Sequence, residues 1–198
     1  MVLLLYKNSL TKKFFEDNPV KNLTAQQFVY AQIQVPIMSE FVSDFVRKYD
    51  NRADEERKKL LHENDPDVLL KMLRGKCDVI NHHLLHQRIL THEEIVLPKI
   101  LEMFKTSLNS VFIENTVKIL ANTKKDYSEA LLKILDEIRS TYAMSLACIT
   151  LRFIADEETI PVLMKKILYF RKLYPEENYD QGPLHGLIKL YERFYQQQ

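Results

Sequence analysis

Lys99-Ile100-Leu101, Lys133-Ile134-Leu135 and Lys166-Ile167-Leu168 repeat one phrase at intervals of 34 and 33 residues. Between them runs a second series, Arg88-Ile89-Leu90, Lys118-Ile119-Leu120 and Arg152-Phe153-Ile154, at intervals of 30 and 34. Two interleaved series at one period describe a unit of two segments, each with a basic residue before two apolar ones. A period of roughly 33 residues marks stacked helical hairpins, because a single hairpin cannot bury its apolar face until a neighbour covers it.

The composition agrees with helices. The chain has 198 residues, 46% hydrophobic and 28% charged, enough for one domain or one short array with a sizeable core. It has only 3 glycines, too few for the tight turns of sheet proteins or for glycine-rich phosphate loops. Net charge is +1, spread evenly along the chain, which argues against a dedicated nucleic-acid binder. The two cysteines, Cys77 and Cys148, form no Cys-x-x-Cys pair, the usage of a reducing compartment. Met1–Tyr6 is too short for a signal-peptide core, and no apolar run reaches the length of a membrane span. The expected setting is the cytoplasm, with no membrane partner.

Cap and turn residues place the elements. Thr24 opens a helix to about Val35, Pro36 interrupts it, and a second helix follows to Tyr49. Asp50–Lys59 is dense in both charges and reads either as a solvated helix or as a mobile link. Asp65-Pro66 starts a helix that Gly75 ends in the position of a left-handed cap. A helix over Asp78–Leu90 follows. Thr91 and Glu94 then fit a capping box for a helix to Lys105, with a bend at Pro98. Asn109–Ala121 comes next, with Phe112, Ile113, Thr116, Val117, Ile119 and Leu120 inward. Asp126 and Glu129 suggest another capping box before Ser128–Arg139 and Thr141–Ala155. Tyr142–Ala155 (YAMSLACITLRFIA) is apolar on nearly every side, as a helix covered on both flanks must be. Ile160-Pro161 and Gly182-Pro183 open the last two helices.

The stretch Ser140–Leu168 resembles the HEAT family, particularly the HEAT-like repeats of the bilin-lyase type. Ala143, Leu146, Ala147 and Leu151 match that family's small-and-leucine helix, Asp156-Glu157-Glu158 its acidic turn, and Ile160-Pro161-Val162-Leu163 the start of its next helix. Asp136 and Arg139 sit roughly where the family places an Asp and an Arg. No glycine follows Leu151, and the other repeats lack the Ile-Pro start. The resemblance implies an all-α, right-handed α-α superhelix, an ARM/HEAT-like solenoid of hairpins. The array would cover 63–198, with repeats at about 65–91, 92–121, 128–155 and 159–198. Residues 1–62 would be a diverged N-terminal helical cap continuous with it. The family binds proteins, nucleic acids and substrates of unrelated kinds, so no active-site residue carries over.

Two groups of residues are candidates for function. His82 and His86 are four apart on one helix face, a spacing that lets two imidazoles reach one metal, and His92 follows beyond the turn. No His-Glu-x-x-His pattern accompanies them, so a pH-sensitive surface and plain structure are the competing readings. Alignment of the second helices stacks Arg88, Lys118, Arg152 and Lys189 at one register, a ladder with rungs about 10 Å apart. Such a ladder suits an acidic peptide or a nucleic-acid backbone. The alternative is that each basic side chain snorkels at the edge of a core helix, or that Glu114 pairs with Lys118. The first-helix series Lys71, Lys99, Lys133 and Lys166 reads as a solvent face. The C-terminal aromatics Tyr169, Phe170, Tyr174, Tyr179, Tyr191, Phe194 and Tyr195 read either as a partner surface or as the underside of a capping hairpin.

No catalytic triad, phosphate loop or carboxylate pair is recognisable, and no cofactor is implied. The expectation is therefore a non-catalytic scaffold binding a protein, an acidic one if the ladder works, through Arg88, Lys118, Arg152, Lys189, His82 and His86. The alternatives are a nucleic-acid-binding or DNA-repair protein of the HEAT-like glycosylase kind, and a lyase or chaperone acting on a prosthetic group. The even charge and the absence of tryptophan weigh against the first.

Overall fold

The computed structural model describes residues 51–75 and 79–195. The helices expected over residues 24–49, and Cys77, lie outside the described residues. Among the described residues the chain forms nine α-helices, two short 3₁₀ turns and no strand. The all-α class holds. These residues fall into two compact units, one ending at Met144 and one beginning at Ser145.

The first unit contains α1 (Asn51–His62), α2 (Pro66–Met72), α3 (Val79–Thr91), α4 (Glu93–Thr106), α5 (Ser110–Leu120) and α6 (Ser128–Ile134). The charged stretch after Asp50 is a helix, because Ala53, Arg57 and Leu60 form an i, i+4, i+7 stripe that is buried. Asp65 caps α2, its carboxylate accepting from the Asp67 N–H at 2.8 Å. Gly75 does not take the expected left-handed cap. No described residue has a positive φ, and the Gly75 N–H donates to the Met72 carbonyl at 3.0 Å in a tight right-handed turn.

The capping box at Thr91 is also replaced. Thr91 is the last residue of α3, and its hydroxyl donates to the Arg88 carbonyl at 2.6 Å. Glu94 instead pairs with Lys125, while the buried Glu93 carboxylate accepts from the backbone N–H groups of Lys124 and Lys125 at 3.1 and 2.9 Å. Those donors at the next turn outcompete a local cap. α4 continues through Pro98. In α5, Asn109 caps the Phe112 N–H at 2.8 Å, and all six expected inward residues are buried. α6 is shorter than its pattern suggests, giving way to a 3₁₀ turn at Leu135–Glu137. Asp126 accepts from the Ser128 N–H at 2.7 Å, an Asx turn, and Glu129 pairs with Lys133 instead of closing a box.

Side-chain bonds at both ends set the direction of successive helices. Glu93 holds the residues leading into α6 beside the start of α4. At the other end, Lys105 pairs with Glu137 at 3.2 Å, and its carbonyl accepts from the Arg139 N–H at 2.8 Å. α4 and α6 therefore run parallel. α1 and α3 do likewise: Asn81 donates to the Ala53 carbonyl at 2.9 Å near their starts, and Arg88 to the Glu63 carbonyl near their ends.

α7 (Thr141–Ile154) crosses into the second unit, which also holds α8 (Ile160–Leu173) and α9 (Gln181–Tyr195). From Ala143 to Arg152 every α7 residue is buried, as its apolar sequence requires. Gly182 and Gly186 are what let α9 lie on α7. A Cβ at Gly182 would overlap the Ser145 carbonyl, and one at Gly186 would stand 2.6 Å from the Cys148 carbonyl oxygen. The nearly buried Asp180 accepts from Arg171 at 2.8 Å and fixes the loop between α8 and α9. Lys166, expected in solvent, is buried here. It lies between Leu163 and Phe170 on the inner stripe of α8, with its ammonium 5.2 Å from the Tyr169 ring centre.

Candidate functional site

In the first unit the site forms on the two second helices α3 and α5. His86 is buried, and its Nε2 lies 3.1 Å from Asn115 Oδ1. The Asn115 amide group donates to the Leu73 carbonyl at 3.0 Å, so Oδ1 is the free acceptor and the ring carries its proton on Nε2. Burial pushes the His86 pKa down to about 3, against the Asn115 bond, with His82, Lys118 and His83 adding to the downward shift. The ring is neutral at any physiological pH. His82 stacks on it, with centroids 6.2 Å apart and planes 4° from parallel. His83 is half-buried, and its pKa also lies below the ordinary value, first through burial and then through Lys118 and His82.

Lys118 sits on α5 beside these imidazoles, half-exposed, and no described carboxylate pairs with it. Glu114, one turn earlier, accepts from the Tyr142 hydroxyl at 3.1 Å instead. Arg88 has a different task. Its guanidinium donates from Nε at 3.2 Å and Nη2 at 2.6 Å to the Glu63 carbonyl, and also to Asn64 Oδ1, closing the C-terminal end of α1. A cation there complements the carbonyl end of the helix dipole. His86 pairs with Asn115 across α3 and α5, so Arg88 and Lys118 occupy neighbouring registers, but the Arg88 head group points to α1.

The second unit gathers Arg152, His185 and Lys189. The Arg152 side chain is buried, with its guanidinium 4.3 Å from the Phe153 ring centre. Burial draws its pKa down, partly offset by Glu192. His185 lies below the ordinary histidine value through burial, then through Arg152 and Lys189. Lys189 pairs with Glu192 at 2.5 Å. The ladder positions differ in availability: Lys118 pairs with no described carboxylate, whereas Lys189 is exposed but paired.

The histidines do not gather around a metal position. His86 Nε2 is occupied by Asn115, the His82 and His86 rings stack, and His92 takes the N-cap position of α4 without a side-chain cap bond. Among the described residues no group of three or more His, Cys, Asp or Glu side chains is placed to hold a metal ion.

The aromatic C-terminus divides between structure and surface. Phe170 is buried, with the Tyr169 ring edge-on at 5.4 Å and Tyr179 at 6.2 Å, and Tyr174 meets Tyr179 at 5.8 Å. The Tyr195 hydroxyl donates to Glu157 at 3.1 Å, and burial together with that carboxylate raises its pKa to about 12. Leu168, Tyr169 and Leu173 are exposed.

No family model, curated protein or solved structure matches this chain. The chemistry of the site is therefore read from its own residues. Sequence reasoning missed Asn115, which fixes the His86 tautomer, and Arg193, whose guanidinium donates to the carbonyls of Arg152, Phe153 and Ala155 and closes the end of α7 as Arg88 closes α1. A signal for Asn115 existed: Asn81, Asn115, Ser145 and Gln181 are all buried and recur at intervals of 34, 30 and 36. Among the described residues no helix is long and apolar enough to cross a membrane.

Proposed function

We infer that the chain is a right-handed array of HEAT-like helical hairpins that acts as a non-catalytic cytoplasmic scaffold, holding an acidic segment of another protein against its second helices. The parallel pairs α1/α3 and α4/α6 support the array. So do tertiary bonds that recur near the sequence period, such as Asn81 to Ala53, His86 to Asn115, Lys99 to Asp67 and Ser145 to Tyr179.

Lys118 carries the functional reading. It is a half-exposed cation beside His83 and His86, whose pKa values burial pushes down, and no described carboxylate pairs with it. A partner carboxylate would meet it without displacing an existing ion pair. His83 lies on the adjoining α3 surface, and burial holds its pKa below the ordinary value.

The test begins with affinity purification from the native cell and mass spectrometry. The recovered partner is then titrated against wild-type protein and Lys118→Glu. Charge reversal should weaken binding about tenfold or more, and the loss should shrink at high salt. An affinity that is unchanged by Lys118→Glu and independent of salt would remove the second-helix surface from the reading. Arg88 is not a suitable probe, because its substitution frees the end of α1.

A further inference from the structure

The first helices of the same unit flank an open groove that the second-helix reading does not use. α2 and its closing turn present Asp67, Leu70, Lys71 and Arg74, an i, i+3, i+4, i+7 stripe, and α4 presents Pro98, Lys99, Glu102 and Met103. The groove between the two stripes has a volume of about 830 Å³. That falls within the size range of small-molecule sites, about 300–1,000 Å³. Leu70, Pro98 and Met103 supply its apolar surface.

Its charges are not balanced. Lys99 crosses from α4 to Asp67 at 2.6 Å, and this hydrogen bond holds the Asp67 carboxyl below its usual range. Glu102 is held by Lys105 at 2.8 Å. Both groove carboxylates are therefore paired in place, although Lys105 is shared with Glu137 at 3.2 Å. Lys71 and Arg74 lie three residues apart on the stripe of α2 and its closing turn, and neither forms an ion pair with a described carboxylate, although Lys71 adds to the downward pull on the Asp67 carboxyl. The Arg74 head is steadied 5.8 Å from the centre of the Phe112 ring, and its backbone carbonyl accepts from the Asn109 side chain at 3.4 Å. A planar guanidinium and an ammonium lining a partly apolar trough suit an oxyanion attached to an apolar body.

We propose that the α2/α4 groove binds a small organic oxyanion, a carboxylate or phosphate monoester, with Lys71 and Arg74 holding the anionic head and Leu70, Pro98 and Met103 contacting the apolar body. The ligand is distinct from the acidic protein segment assigned to the second helices. It engages none of the same side chains.

The test is calorimetric titration of the full chain with 1-naphthyl phosphate, and in parallel with 1-naphthol and with inorganic phosphate. The expected result is saturable binding of 1-naphthyl phosphate at one site per chain, with each fragment probe at least tenfold weaker. Lys71→Ala and Arg74→Ala should each weaken binding about tenfold, the usual size of a lost charge-assisted hydrogen bond. Met103→Trp should block binding by filling the trough while leaving both charges in place, and Lys172→Ala on α8 should change nothing. Circular dichroism confirms that each variant is folded before it is titrated. Three results would overturn the proposal: no saturable binding of 1-naphthyl phosphate, equal binding of inorganic phosphate, or unchanged affinity in the Lys71→Ala/Arg74→Ala double variant.

Discussion

Acidification from pH 7.5 to 5.0 should expose the cost of keeping His86 neutral. In the folded chain its pKa is pushed down to about 3, against 6.5 for the ordinary side chain. The unfolded chain therefore takes up a proton below pH 6.5 that the folded chain refuses. Stability is fully present above pH 6.5 and is lost as the pH falls towards 3. At pH 5.0 the difference in proton binding amounts to about 2 kcal/mol from this residue alone. The groups facing the ring are His82 and His83 on its own helix and Asn115 and Lys118 on α5. All four remain in a His86→Gln variant, whose side-chain amide can still donate to Asn115 but does not titrate. Urea unfolding of both proteins at the two pH values isolates the effect, because carboxylate titrations are common to both. The wild type should lose about 2 kcal/mol more than the variant on acidification. Losses that agree within about 0.5 kcal/mol, the scatter of such extrapolations, would show that His86 is not held neutral by burial.

The close contact of α9 with α7 should make Gly182→Ala and Gly186→Ala destabilising. The overlap with the Ser145 or Cys148 backbone costs more than the helix-propensity gain of about 1 kcal/mol, so a raised melting temperature in either variant would contradict the packing. Asn115→Ala removes the partner of His86 and the donor to the Leu73 carbonyl together, and denaturant titration should show a loss of about 2–4 kcal/mol. Glu93→Ala leaves the Lys124 and Lys125 N–H groups without their acceptor. Trypsin should then cut after these lysines several-fold faster, and an unchanged cleavage rate would mean that the carboxylate does not hold the loop.

What was legible in the sequence follows from how far each interaction reaches along the chain. Helix existence rests on local periodicity, so α4, α5 and α7 could be read directly, and all six expected inward residues of α5 are buried, with Asn115 buried beside them. Caps were less legible, because a cap is a competition. Thr91 and Glu94 have the spacing of a capping box, but Lys125, 31 residues further on, takes Glu94, and the backbone after Asn122 takes Glu93. Gly75 is similar: glycine permits a left-handed turn without requiring one, and the chain ends α2 with a right-handed turn instead.

The candidate site shows the same limit at side-chain scale. Register fixes roughly where a Cα lies along its helix. It does not fix the guanidinium or ammonium, which a long side chain can carry several ångströms along or across the helix. Arg88 uses that reach to close α1, as Arg193 does to close α7, and Lys189 turns back to Glu192. Lys118 differs because the acid one turn before it is taken by Tyr142 and its imidazole neighbours His83 and His86 have pKa values that burial pushes down. Four basic residues with one sequence pattern thus acquire different roles from the helix ends and acids around them. The residue left without a described counter-charge is the one that a partner can use at the least cost to the fold.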